Sequence, residues 1–247
     1  VRLSVIVIAK NEERNIRRCL ESVQWADEII VLDSGSDDAT VAIANEFTNH
    51  VFATDWQGFG IQKQRALQHA TGDWVLNLDA DEYVNAELKD SILRAITSES
   101  ADGYRVPIRM CFYGKPLRYC SSPKRHVRLF RRQGACFSSD MVHEKIILPK
   151  QAVIRRLATP ILHNSFRDVS HALNKINLYS SYSAQIKISD NKKPSLTKTI
   201  ASTSWMFIRC YLLQGGFMDG KAGLLFAMLN AQGSWYRGIK QLYPDQQ

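Results

Sequence analysis

Two hydrophobic rhythms alternate along the first eighty residues. Leu3 to Ile8 is an apolar run of strand length, followed by Ala9-Lys10-Asn11-Glu12-Glu13. Ile16, Cys19, Leu20 and Val23 then fall at i, i+3, i+4 and i+7, the spacing of an amphipathic helix. A second run, Glu28 to Leu32, ends in Asp33-Ser34-Gly35-Ser36-Asp37-Asp38, small and acidic residues that suit a turn and an N-cap. Val41, Ala44 and Phe47 resume helical spacing, and Val51 to Ala53 reads as a third short strand. Trp56-Gln57-Gly58-Phe59-Gly60 forms a loop before a helix over Gln62 to Ala70, and Trp74 to Leu78 is a fourth, buried strand. Strand and helix in this order predict a parallel sheet with right-handed crossovers. Parallel strands end on one edge, so Asn11, Glu12, Asp33 and Asp79 are expected to converge.

The chain changes character after Asn164. Leu173 to Ile188 predicts a long helix, broken at Asn191-Lys192-Lys193-Pro194. Ile200 to Leu213 is apolar and aromatic around a single Arg209, and Gly215 to Gly223 is a loop or helix start before apolar Leu224 to Leu229. The expected organisation is a catalytic domain over 1–164, with halves at about 1–104 and 105–164, and a helical extension over 165–247. That extension either packs as ordinary core helices or lies against a leaflet, its apolar residues bounded by Lys198, Arg209, Lys221, Arg237 and Lys240.

Composition narrows the class. A chain of 247 residues is long enough to bury a large α/β core. Five cysteines, odd in number and without a Cys-x-x-Cys pair, argue for a reducing compartment and against a disulfide framework or zinc site. No signal peptide and no membrane-spanning run of about 18 apolar residues is expected. The net charge of +8 is unevenly distributed: residues 1–104 hold 9 Lys/Arg and 18 Asp/Glu, residues 105–156 hold 13 and 2, and residues 157–247 hold 10 and 4. The basic middle, from Arg105 and Arg109 through Arg118, Lys124, Arg125, Arg128, Arg131 and Arg132, is either a solvated face or a surface that meets an anion. No nucleic-acid-binding motif accompanies it, so nucleic acid is not an expected partner.

The densest chemistry lies at Asp79-Ala80-Asp81-Glu82, where the fourth strand ends. Three acidic side chains at a strand exit repel one another unless a cation or solvent compensates them. Asp79-x-Asp81 lets two carboxylates reach one hard divalent ion that also holds a diphosphate. The plainer alternative is a solvated strand end with helix-capping acids.

Val5-Ile6-Val7-Ile8 with Asn11-Glu12, then Val31 to Thr40, then Gly72-Asp73-Trp74 with Asp79-Ala80-Asp81-Glu82, resemble the inverting family 2 glycosyltransferases. The resemblance covers roughly residues 1–150. It implies an α/β GT-A (nucleotide-diphospho-sugar transferase) fold, a Rossmann-like mixed sheet, here with a C-terminal helical extension. A narrower resemblance is to WaaE-type lipopolysaccharide-core β-1,4-glucosyltransferases. It rests on Trp56 to Gly60 with Gln62-Lys63, on Val142-His143-Glu144, and on Gly216 to Gly223.

The resemblance implies residue roles. Asp81 is the more direct ligand of a Mg²⁺ or Mn²⁺ ion, with Asp79 nearer the ribose and diphosphate. Asp33 accepts from uracil, and Glu12 lies near the ribose. Asn11 is either a nucleotide contact or the N-cap of the first helix. Lys10 and Lys63 are candidates for the diphosphate or plain surface lysines. Glu144 is the expected base, with His143 as an alternative base or metal ligand; His163 is a further candidate for the metal shell. The implied reaction moves glucose from UDP-glucose to an inner-core heptose of lipopolysaccharide, an anionic lipid-linked acceptor. The expected location is cytoplasmic and peripheral, on the inner face of the bacterial inner membrane. Transfer to a polyprenyl phosphate is the enzymatic alternative; a carbohydrate- or nucleic-acid-binding module is the non-enzymatic one.

Overall fold

The structure is a computed structural model that describes residues 1–98, 100–112, 114–120, 124–139, 145–166, 169–190 and 194–244. Its first half follows the strand–helix rhythm: β1 (Leu3–Ala9), α1 (Ile16–Glu21), β2 (Glu28–Asp33), α2 (Thr40–Ala44), β3 (Val51–Ala53), α3 (Phe59–His69) and β4 (Trp74–Asp79). β1 pairs in parallel with both β2 and β4, and β2 with β3. All seven residues of β1 are buried because both sheet faces are covered. Val5, Val7 and Ala9 enter one core with Ile16, Leu20 and Leu88, while Ile6 and Ile8 enter another with Ala66, Leu67 and Phe130.

The register aligns the strand ends. Ala9 lies opposite Asp33, and Ile8 opposite Asp79. The acidic residues therefore meet at the carboxyl edge, where open α/β sheets bind ligands.

The chain then turns sharply into β5 (Glu82–Tyr83) and α4 (Ala86–Thr97), whose first turn is capped by Asn85 accepting from the Leu88 N–H at 2.9 Å. β6 (Gly103–Phe112), β7 (Lys115–Pro116), β8 (Lys124–Arg131), β9 (Cys136–Phe137), β10 (Ile146–Ile147), β11 (Ile154–Arg156) and β12 (Ile161–Phe166) follow. The mixed sheet runs β3-β2-β1-β4-β8-β6-β12-β5, with β8 antiparallel to β4. β9 and β10 form a separate antiparallel pair.

Two compact units result, residues 1–108 with 123–163, and residues 109–122 with 164–247. The second contains α5 (Val169–Ser189), α6 (Leu196–Ile208), a π-helical turn (Arg209–Leu213), a 3₁₀ turn (Gly216–Asp219) and α7 (Gly220–Leu242). α7 packs closely on α6, since a Cβ on Gly238 would strike the Thr199 side chain. Lys240 Nζ donates to the Asn177 carbonyl at 2.8 Å and to Ser180 and Ser181 of α5. Among the described residues no helix is long and apolar enough to cross a membrane.

Candidate active site

The loops after β1 and β2 are joined by their own polar groups. Asn11 adopts a left-handed backbone (φ 55°), its N–H donates to Ser36 Oγ at 2.9 Å, and its Oδ1 accepts from the Asp37 N–H at 3.0 Å. An asparagine tolerates that conformation better than most residues do. The N-cap position of α1 falls to Asn15, so Asn11 links the two loops instead of capping the helix. The Glu12 N–H donates to Thr40 Oγ1 at 2.8 Å, and Glu12 Oε2 accepts from Asn15 Nδ2 at 2.7 Å. Asp33 is buried, and its Oδ2 accepts from the N–H groups of Gly35 and Ser36 at 3.0 and 2.9 Å. This is the turn that small residues after a strand predict. The N-cap of α2 is Ala39; the turn's own Asp38 accepts from the Thr40 N–H at 2.9 Å.

α3 supplies two buried polar side chains to the same edge. Its N-cap, Gly58, has φ 99°, a backbone state natural only to glycine. From the first turns, Gln62 Nε2 donates to Ser34 Oγ at 2.9 Å, and Lys63 Nζ meets Asp79 Oδ1 at 2.8 Å. Lys63 is only 2% exposed, so it is no surface lysine, whereas Lys10 is exposed just beyond β1. Trp56 and Phe59 pack edge to face beside this helix start, ring centroids 4.8 Å apart, and both remain 40% exposed.

At the exit of β4 Asp79 and Glu82 face permanent cations, and Asp81 faces the His163 ring. Asp79 Oδ2 accepts from the Arg128 guanidinium at 2.8 Å, and the same nitrogen donates to Glu82 Oε1 at 2.8 Å. Glu82 Oε2 accepts from the Asp79 N–H at 2.9 Å. Desolvation opposes the charge on Asp79, but Arg128 and Lys63 hold its carboxyl well below the usual range. Burial pushes Glu82 up to about 7, against the pull of Arg128 and with the push of Asp79. Asp81 Oδ2 and His163 Nε2 are hydrogen-bonded at 2.8 Å. Burial disfavours the imidazolium, yet Asp81, with Glu82 and Asp79 behind it, raises the His163 pKa. The register that sets His163 opposite Glu82 in the β12–β5 pair brings it to Asp81. Beneath them, burial and the same carboxylates keep the Cys19 thiol well above its ordinary value, so it is a packing residue.

Asp79, Asp81, Lys63 and His163 thus come together, with Asn11, Glu12 and Asp33 on the adjoining strand ends. His143 and Glu144 lie outside the described residues. Arg128 is the member that sequence reasoning left within a general basic stretch. Its signal was a lone cation in Val127-Arg128-Leu129-Phe130, a run apolar enough to be buried on both faces, where a charge requires a partner.

No group of three or more His, Cys, Asp or Glu among the described residues is arranged as a metal cage. Asp81 and His163 nevertheless fit a divalent ion: one carboxylate oxygen and one ring nitrogen suit Mn²⁺, and a Mg²⁺ held by a carboxylate completes its shell with phosphate oxygens and water. Asp79, already bound to two cations, is the less available ligand.

Comparison with known proteins gives the family and the fold. The model of the family described as "Glycosyl transferase family 2" matches residues 4–159. An uncharacterized glycosyltransferase of Rickettsia prowazekii (strain Madrid E) is 30% identical over 97% of this chain and 86% of its own length. The lipopolysaccharide core biosynthesis glycosyltransferase LpsC of Rhizobium meliloti (strain 1021) is 29% identical over 98% of this chain and 95% of its own. Among solved structures, S. aureus TarS (residues 1–349) superposes with a TM-score of 0.52 at 16% identity, covering 96% of this chain and 92% of that one, a likeness of fold, GT-A. The chain belongs to glycosyl transferase family 2.

Proposed function

We propose, from its membership of glycosyl transferase family 2, that this protein transfers glucose from UDP-glucose, with inversion, to an inner-core heptose of lipopolysaccharide. The observation that carries the proposal is the paired acidic strand edge, where Asp79 faces Lys63 and Arg128 while Asp81 faces His163. The lipopolysaccharide-core role of the Rhizobium relative, similar over nearly the full length of both chains, supports the acceptor class. The WaaE-type assignment and its β-1,4 linkage belong to the same proposal and rest on the sequence motifs.

In this reading Asp33 accepts from the uracil, Glu12 and Asn11 border the ribose, and Lys10 and Lys63 offer positive charge to the diphosphate. Asp79 positions Lys63 and Arg128 and lies nearer the ribose and diphosphate than Asp81 does. Asp81 and His163 hold Mg²⁺ or Mn²⁺, which when bound neutralises the departing diphosphate. Glu144 takes the proton of the acceptor hydroxyl, with His143 as the alternative base. The acceptor is anionic and lipid-linked, and the protein works as a peripheral enzyme on the inner face of the bacterial inner membrane.

A panel of nucleotide sugars against heptose-containing core acceptors, scored for product and linkage with and without chelator, tests the proposal. Glucose transfer from UDP-glucose that stops in chelator is the expected result. Transfer to polyprenyl phosphate in place of heptose, or no transfer from any nucleotide sugar, would overturn it.

A further inference from the structure

The second unit exposes large apolar side chains along α5 and α6, and gathers others where α6 passes into α7. Between α6 and α7 the chain passes through the π-helical turn and the 3₁₀ turn, and these expose Leu212, Leu213, Phe217 and Met218, with Leu213 at 66% and Phe217 at 54%. The first turns of α7 continue the surface: Lys221, Leu225 and Met228 are exposed at i, i+4 and i+7, one face of the helix. Large apolar side chains gathered this way mark an interaction surface more than ordinary scatter does.

The corner is held from within. Asp219 accepts from the backbone N–H groups of Arg118, Tyr119 and Cys120 at 2.8, 3.0 and 3.0 Å. A Cβ on Gly223 would run into the Gly216 carbonyl, so backbone packs on backbone there. Its apolar groups are therefore presented in a fixed arrangement, with little ordering left to lose on binding.

Charge identifies the partner. Residues 109–122 and 194–244 contain eight Lys/Arg (Arg109, Lys115, Arg118, Lys198, Arg209, Lys221, Arg237 and Lys240) and a single acidic residue, Asp219. That carboxylate is turned to its three backbone donors, while Arg118, Arg209 and Lys221 are exposed around the apolar corner. Exposed apolar side chains with cations in the same segments match the headgroup boundary of an anionic leaflet, where the hydrocarbon takes the former and the phosphates attract the latter.

We infer that residues 209–228 are the element that enters an anionic lipid surface, with Asp219 as the positioning residue that keeps the corner formed. The inference rests on the proposed lipid-linked acceptor and names the surface that would reach it. The test uses the full chain with vesicles of phosphatidylcholine alone or with phosphatidylglycerol, in co-sedimentation. Wild type should bind the anionic vesicles and be released by salt. The double variant Leu213→Ser/Phe217→Ser should bind at least about tenfold more weakly, with unchanged melting and unchanged transfer to a lipid-free core acceptor. Lys221→Gln and Arg118→Gln should each weaken binding about fivefold, which keeps the idea testable if the double variant fails to fold. Equal binding to neutral vesicles, no binding to either, or corner variants that bind like wild type would overturn it. So would a dimer in light scattering that the double variant dissolves, because the surface would then belong to a second copy. Absence of transfer to every acceptor would instead sink the enzymatic proposal while leaving the vesicle result to judge the corner.

Discussion

Asp79 and Asp219 are both aspartates whose folded environment favours the charged form, and they reach that state by different means. Asp79 sits between two side-chain cations, Lys63 from α3 and Arg128 from β8. Asp219 sits among three backbone N–H groups of one short segment. Backbone donors cannot turn elsewhere without moving the chain, so the second arrangement is a clamp. Lysine and arginine side chains can re-pair by changing rotamer, so the first is able to admit a charged ligand. The difference separates scaffold from site more reliably than the presence of an acidic residue does.

The largest expected effect belongs to the base, which only the first region requires. Glu144→Gln should lower turnover by about 10²–10⁴-fold with donor affinity, read by calorimetry, little changed. If His143→Asn shows that pattern and Glu144→Gln does not, the roles are exchanged.

Next comes Asp81→Asn, which should reduce transfer by at least about 10²-fold and weaken metal-dependent UDP binding. Its effect on stability should be small, since His163 and Asp81 are both partly exposed. Full activity in this variant would remove Asp81 from the proposed ion site.

Asp79→Asn probes the cation-balanced pair itself. The substitution takes away the carboxylate that two buried cations face; because that carboxylate is itself 35% exposed, the cost in urea unfolding should be about 1–3 kcal/mol, with a smaller loss of transfer than Asp81→Asn. A cost below about 1 kcal/mol would mean that the pairs behave as surface salt bridges and that the contrast with Asp219 is false.

Asp219→Asn should be the mildest, about 1–2 kcal/mol, because the amide oxygen can still accept from Tyr119 and Cys120, which share Oδ2, and only the Arg118 N–H on Oδ1 loses its acceptor. Burial disfavours its charge, but the backbone N–H groups of Cys120, Arg118 and Tyr119 hold the folded pKa below the ordinary 3.8. The unfolded chain therefore takes up its proton first on acidification. The stabilisation is complete above the ordinary value and is lost as pH falls through the lower folded value. The wild-type advantage over Asp219→Asn, measured by chemical unfolding from pH 6 downward, should shrink only near and below pH 4. An advantage that grows on acidification would contradict the clamp.

Much of the first region was legible in the sequence. Asn11, Asp33 and Asp79 could be set on one edge because parallel strands finish together, and Ile8 opposite Asp79 realises that geometry. The acceptors in the turn after β2 followed from its small residues, although Ala39 and not an acidic residue takes the cap. Lys63 was harder: its helical spacing puts it near the edge, but only packing makes it 2% exposed. In the second region the predicted helix over 173–188 lies within the observed 169–189, and α6 starts at Leu196, while residues 191–193 of the expected break lie outside the described residues. Asp219 carried no signal, being one aspartate in Gly216 to Gly223 whose partners lie about 100 positions earlier in the chain.

By itself the sequence determined the strands and helices of the first eighty residues, their order and the edge at which the acidic residues gather, because periodicity, turn chemistry and chain direction are local properties; it did not show the strands from β5 to β12. Only the tertiary structure decided which charge answers which. Arg128 meets Glu82 across 46 positions and Asp79 across 49, and His163 meets Asp81 across 82. Those pairings depend on strand register, and a slip of one residue turns a side chain to the opposite face of the sheet.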